Sequence, residues 1–169
     1  MTAPLVVFAV GNPSRGDDAL GPLLSARLRP WLETAGLAAN VELIEDFQLN
    51  IEHALDLVGR RLAVFIDAGA ETPGPFVFAR ILPSTATTHS THALAPETVL
   101  HVYRLTEGRE PPPAFVLCIR GEGFALGEGL SVAAESALAQ AEAWLKAKLL
   151  LGEAWQPELE VQPAMPPGQ

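Results

Sequence analysis

The chain has 169 residues, enough for one domain with a substantial core; 49% are apolar and the mean hydropathy is +0.22. A net charge of -9 and a pI near 4.8 argue against a nucleic-acid partner, because a phosphate backbone selects a clustered basic face. Cys118, the single cysteine, lies in the apolar run from Ala114 to Ile119, so the sequence offers neither an intrachain disulfide nor a thiolate cluster, as suits a reducing cytosol.

Met1 to Val10 is apolar but lacks a basic leader region and a cleavage pattern, and no apolar run nears the roughly 20 residues of a membrane helix. A soluble, untargeted, cytoplasmic protein is expected. Leu5 to Val10, β-branched and stopped by Gly11-Asn12-Pro13, reads as a strand buried on both faces. Leu20 to Leu32 has helical spacing of apolar residues, with Pro22 in the tolerant first turn and Pro30 expected to kink or end the helix. Val41 to Ile44 is the second strand, and Asn50 caps a short helix carrying Ile51, Ala54, Leu55 and Val58. Leu62 to Ile66 is the third strand, ending at Asp67. Strands separated by helices of this length predict right-handed parallel crossovers.

The link from Ala68 to Pro75 is too short for a helical crossover, so Phe76 to Ile81 is expected to pair antiparallel at an edge. Pro83 to Thr91 is a Ser/Thr-rich loop, Pro96 to Tyr103 a helix with proline in its first turn, and Glu107 to Pro113 a breaker-rich loop. Ala114 to Ile119 is the fifth strand. Ser131 caps a long helix striped by Val132, Leu138, Ala141, Trp144, Leu145 and Leu149. The order predicts an α/β fold, a three-layer α/β/α sandwich around a mixed, mostly parallel five-stranded sheet of phosphorylase/hydrolase-like type. One domain is expected over residues 1–151, followed by a proline-rich tail over 152–169 that wraps the surface or stays mobile.

Open α/β sheets bind ligands beyond the carboxyl ends of their strands, near a switch in strand order. There the first strand runs into Gly11-Asn12-Pro13-Ser14-Arg15-Gly16-Asp17-Asp18, the third ends on Asp67, and the loop before the next helix holds His89 and His92. With the first and third strands as neighbours in a 2-1-3 order, two carboxylates and an imidazole converge. Such a donor set accepts nickel, zinc, manganese or iron, and three ligands leave positions open for water or substrate. Plainer readings stand beside this one. Asp17 or Asp18 could cap the first helix, and His89 and His92 could be ordinary surface histidines. Asp67 is harder to dismiss, because a charge closing an apolar strand is costly unless paired or placed at a site.

Other motifs are absent. Gly11 to Gly16 lacks the Lys and Ser/Thr of a phosphate-binding loop, and neither G-x-G-x-x-G nor G-x-S-x-G occurs. Cys118 reads as core, and His53 and His101, each in a predicted helix, show no partner. Glu42, Glu45 and Asp46 read as a solvated edge.

With the residues in this order, the chain resembles the hydrogenase maturation endopeptidases from its first strand to its last helix. Val10-Gly11-Asn12 followed by Gly16-Asp17-Asp18-Ala19-Leu20-Gly21 is similar to the family's G-N-x-x-x-x-D-[DE]-x-x-G signature. Phe65-Ile66-Asp67-Ala68 is similar to its strand-terminal I-D-A, and His92 stands just before the helix beginning near Pro96. The resemblance implies Asp18, Asp67 and His92 as metal ligands and catalytic residues, and prefers His92 to His89. It implies an endopeptidase, of aspartyl-protease character, that removes a C-terminal extension from the large subunit of a nickel-iron hydrogenase after nickel insertion. The nickel is then carried by the substrate, with zinc or cadmium able to replace it in vitro, and a monomer meeting the nickel-loaded precursor transiently is expected. Asp17 could orient a ligand. Where many members carry a glycine- and threonine-containing turn, this chain has Glu45 to Asn50, so Asp46 and Gln48 are candidate specificity determinants, with a plain loop role as the equal alternative; Glu122 also matches the family but receives no role. Two other readings remain: a non-catalytic chaperone of the nickel-loaded subunit, and a small-molecule metallohydrolase.

Overall fold

The computed structural model describes residues 2–85 and 94–159. Five strands, β1 (Leu5–Val10), β2 (Val41–Asp46), β3 (Leu62–Gly69), β4 (Phe76–Ile81) and β5 (Ala114–Arg120), form one sheet in the order β2-β1-β3-β5-β4. The first four in that order are parallel, and β4 pairs antiparallel with β5 at the edge, as the short link before it requires. Helices α1 (Leu20–Thr34) and α3 (Val132–Leu149) cover one face. The other face carries α2 (Pro96–Glu107) and a 3-10 segment, Ile51–Leu57. This is the expected three-layer α/β/α sandwich.

The layers follow from side-chain alternation along the strands. Val7, Val64, Ile66, Phe115 and Leu117 pack under α1 and α3, while Val6, Phe8, Ala63 and Phe65 pack under α2 and the 3-10 segment. Helix α1 continues through Pro30 to Thr34, where the sequence suggested a kink or stop. Its buried stripe of Leu20, Leu24, Leu28 and Leu32 runs past the proline, and keeping Leu32 in the core offsets the lost backbone bond. Three strands are longer than expected, β5 by the single residue Arg120. Pairing of Ala9 and Val10 with Glu45 and Asp46 extends β2, and pairing of Asp67, Ala68 and Gly69 with Cys118, Ile119 and Arg120 extends β3.

Trp155, within the stretch read as tail, is buried against Phe78 and Trp144 at ring separations of 5.9 and 6.3 Å. The apolar core therefore receives a side chain from beyond α3. Among the described residues no helix is long and apolar enough to cross a membrane.

Candidate functional site

Strand β1 ends at Val10, and the chain leaves it through Gly11, whose φ of 149° lies where side chains are disfavoured. A Cβ there would stand 2.0 Å from the Asp18 carbonyl oxygen, so only glycine lets the turn fold back this tightly. The return brings Asp18 over its own strand end, where the Asn12 N–H donates to Asp18 Oδ2 at 2.7 Å. A 3-10 turn, Gly16–Ala19, then passes into α1. Gly21 lets that helix start close to the sheet, since a Cβ there would meet the Val10 and Ile66 carbonyl oxygens at 2.6 and 3.3 Å.

Asp67 comes one residue after Ile66, which is level with Ala9, so it stands at the last row of β1 while its own strand continues. By alternation it follows Ala63 and Phe65 on the α2 face of the sheet. Its residue is open to solvent at this mouth, yet protein surrounds the carboxylate closely enough to cost it hydration. That desolvation, chiefly, pushes its pKa up to about 6; the Ala68 N–H, 2.8 Å from Oδ1, opposes the shift, and the negative charge of Asp18 adds to it. Two acids from distant parts of the sequence thus share one electrostatic environment. A cation between such groups relieves their repulsion and favours both in the charged form.

His89 and His92 lie outside the described residues. The chain returns at Leu94, packed against the apolar layer beneath α2, on the face that Asp67 shares. Among the described residues no group of three or more His, Cys, Asp and Glu side chains is arranged to hold a metal ion.

Neither Asp17 nor Asp18 caps α1: its N-cap is Ala19, with no side-chain hydrogen bond, and the turn before it also lacks one. Asp17 is instead fully buried and bonded to the segment between β5 and α3. Glu122, on that segment, lies 3.8 Å from Arg120. Cys118 is beside Asp67 across the β3/β5 pairing, with its sulfur 3.1 Å from the Thr72 hydroxyl. Burial, partly opposed by that hydrogen bond and reinforced by Asp67, pushes its thiol up, which suits packing better than nucleophilic attack.

Besides the partners of Asp17, the sequence reading missed those of His53. His53 is buried, its Nδ1 accepts the Asn50 N–H at 2.9 Å, and its Nε2 lies 3.4 Å from Asp46 Oδ2. Asn50 in turn accepts from Glu52, completing a reciprocal cap in which histidine takes the place usual for Glu or Gln. The Asn50-x-x-His53 spacing was the available signal. The acids of β2 are exposed on an edge strand, as expected, and also paired: Glu45 accepts from Ser25 and Arg29 at 2.6 and 3.1 Å, and Glu42 pairs with Arg60. Gln48 is exposed.

A depression of about 270 Å3, lined by Gly11, Pro13, Pro22, Glu45, Asp46 and Phe47, adjoins the Asp18 turn. A larger cavity of about 960 Å3 sits among Leu5, Asn40, Val41 and Arg61 at the amino ends of the strands. That is the wrong end of a parallel sheet for a ligand site, and the two acids are remote from it.

No protein-family model and no curated protein sequence matches the chain. Its structure is similar to the hydrogenase maturating endopeptidase HybD from E. coli, with a TM-score of 0.68 and 21% identity over 86% of this chain and 91% of that one. The [NiFe] hydrogenase maturation protease HycI from Thermococcus kodakarensis KOD1 is similar too, with a TM-score of 0.65 and 24% identity over 88% and 92% of the two chains. The chain has the fold of the hydrogenase maturation proteases. At these identities it is the fold that is shared. In this maturation-protease fold the Asp18 turn and Asp67 stand at the carboxyl edge of β1 and β3, where parallel sheets place their chemistry.

Proposed function

We propose that this protein is an endopeptidase that removes a C-terminal extension from the large-subunit precursor of a nickel-iron hydrogenase. The observation that carries the reading is the placing of the Asp18 turn and Asp67 at the adjacent carboxyl ends of β1 and β3 in this fold. Two oxygen donors that repel each other are a poor resting arrangement and a good receptor for a divalent cation.

In this reading Asp18 and Asp67 supply oxygen donors and His92 a ring nitrogen to nickel already seated in the precursor. The nickel belongs to the substrate. Its engagement fixes the precursor's C-terminal segment relative to the protein and converts cleavage into a positioned, effectively unimolecular step. A cation engaged by Asp67 offsets the desolvation and the repulsion from Asp18 and holds its carboxylate in the charged form.

The test is the mass of nickel-loaded precursor before and after incubation with the purified protein. Loss of a C-terminal peptide supports the endopeptidase. An unchanged mass with a stable complex would instead support a chaperone, and turnover of small amides or esters by protein purified with a bound ion would support a metallohydrolase.

A further inference from the structure

Asp17 spends its whole carboxylate on a segment 105 to 114 residues further along the chain. Oδ2 accepts the N–H groups of Glu122 and Gly123 at 2.7 and 3.0 Å and the Ser131 hydroxyl at 2.7 Å, while Oδ1 accepts the Ser131 N–H at 2.8 Å. The Asp17 N–H donates to the Gly123 carbonyl at 2.7 Å, and the Gly127 N–H donates to the Ser14 carbonyl at 2.8 Å. Ser131 Oγ also accepts the Ala134 N–H at 3.1 Å, so the same hydroxyl caps α3. The approach is close enough that a Cβ on Gly121 would lie 2.8 Å from Asp17 Cβ. Burial pulls the Asp17 carboxyl upward, but these hydrogen bonds outweigh it and hold the group below its ordinary value.

This is more bonding than a four-residue turn needs for its own sake, and none of it caps the turn or α1. What it does is hold the turn at Asp17 itself and at Ser14, three residues before it. Asp18 is the next residue, and its own carboxylate is held by the Asn12 N–H across the same turn. We propose that Asp17 is a positioning residue: by fastening residues 121–131 to the turn, it fixes where the Asp18 carboxylate stands before any substrate arrives. Its importance for cleavage rests on the endopeptidase reading, whereas its control of Asp18 does not.

The chemistry demands an acid. All four groups that meet the carboxylate are donors, and a carboxylate is acceptor-only. Asp17→Asn keeps the shape but turns an NH2 toward donors, which leaves part of the network unpaired. Gly121→Ala is a second probe that leaves the acid intact and wedges the segment away from it.

The experiment is amide hydrogen exchange by NMR on wild type, Asp17→Asn and Gly121→Ala, reading Asn12 against Val64 in the middle of β3. In both variants the Asn12 amide is expected to exchange about tenfold faster or more while Val64 stays within about twofold of wild type. Should Asp17→Asn not fold, Gly121→Ala alone decides. Unchanged Asn12 exchange, or acceleration only in step with Val64, would overturn the proposal. With nickel-loaded precursor the same variants are expected to lose about tenfold or more in kcat, with KM within about threefold. A wild-type protein that does not cleave would defeat the endopeptidase reading and leave the exchange result to judge Asp17.

Discussion

Asp18 and Asp67, 49 positions apart in the sequence, act on one another electrostatically, and Asp67 holds its proton up to about pH 6 partly because of it. Desolvation is the larger cause. Asp18→Asn is therefore expected to lower the Asp67 pKa from about 6 without returning it to the ordinary 3.8, as read from side-chain carboxyl NMR titration. An upward shift would contradict the pairing.

The same group makes stability depend on pH. The folded chain keeps this proton to about pH 6 and the unfolded chain releases it near 3.8, so the contribution favours folding at low pH and is lost as pH rises through that window. Asp67→Asn does not titrate. Its advantage over wild type in urea midpoint is expected to be absent below pH 3.8 and to grow until about pH 6, remaining modest because the residue is open to solvent. A constant offset across the range would show that the Asp67 proton is not involved.

Gly11 is where the turn has no room. With φ at 149° and the Asp18 carbonyl oxygen 2.0 Å from where an alanine methyl would sit, Gly11→Ala is expected to cost about 1–3 kcal/mol in backbone strain, or more if the turn cannot yield. Thermal melting measures the loss. A melting temperature equal to wild type would mean that the turn rearranges freely and does not hold Asp18.

Much of the fold was legible because it rests on local pattern. Leu5–Val10 and the stretch from Leu62 to Ile66 announce themselves as apolar runs with β-branched residues, and the short link before Phe76 dictates an antiparallel edge strand. Asp67 was legible for the same reason, as an acid on an apolar strand. The partners of Asp17 were not, since nothing local in Gly16-Asp17-Asp18 signals a segment more than one hundred residues away. Nor was the Asp46 and His53 contact, which depends on the 3-10 segment folding back beside β2. The stop considered at Pro30 does not occur, because its penalty was visible in sequence and the burial of Leu32 that offsets it was not. The preference for His92 over His89 came from family resemblance alone.

Trp155 extends the core beyond α3. Trp155→Ala is expected to cost about 3–5 kcal/mol in urea denaturation, and a chain ending at residue 151 at least as much. A truncated chain as stable as the full one would place this tryptophan outside the cooperative unit.

The two histidines separate by mutation. His92→Ala, like Asp18→Asn and Asp67→Asn, is expected to lower kcat/KM for precursor cleavage by about a hundredfold or more, and His89→Ala by less than about threefold. The reverse order would transfer the ligand role to His89.

The central claim, that two mutually repelling acids await a cation delivered by the substrate, is tested most directly by cleavage of one precursor prepared with and without nickel. Product mass spectra should show the C-terminal peptide released from the loaded precursor and retained by the unloaded one. Equal release from both would contradict the account.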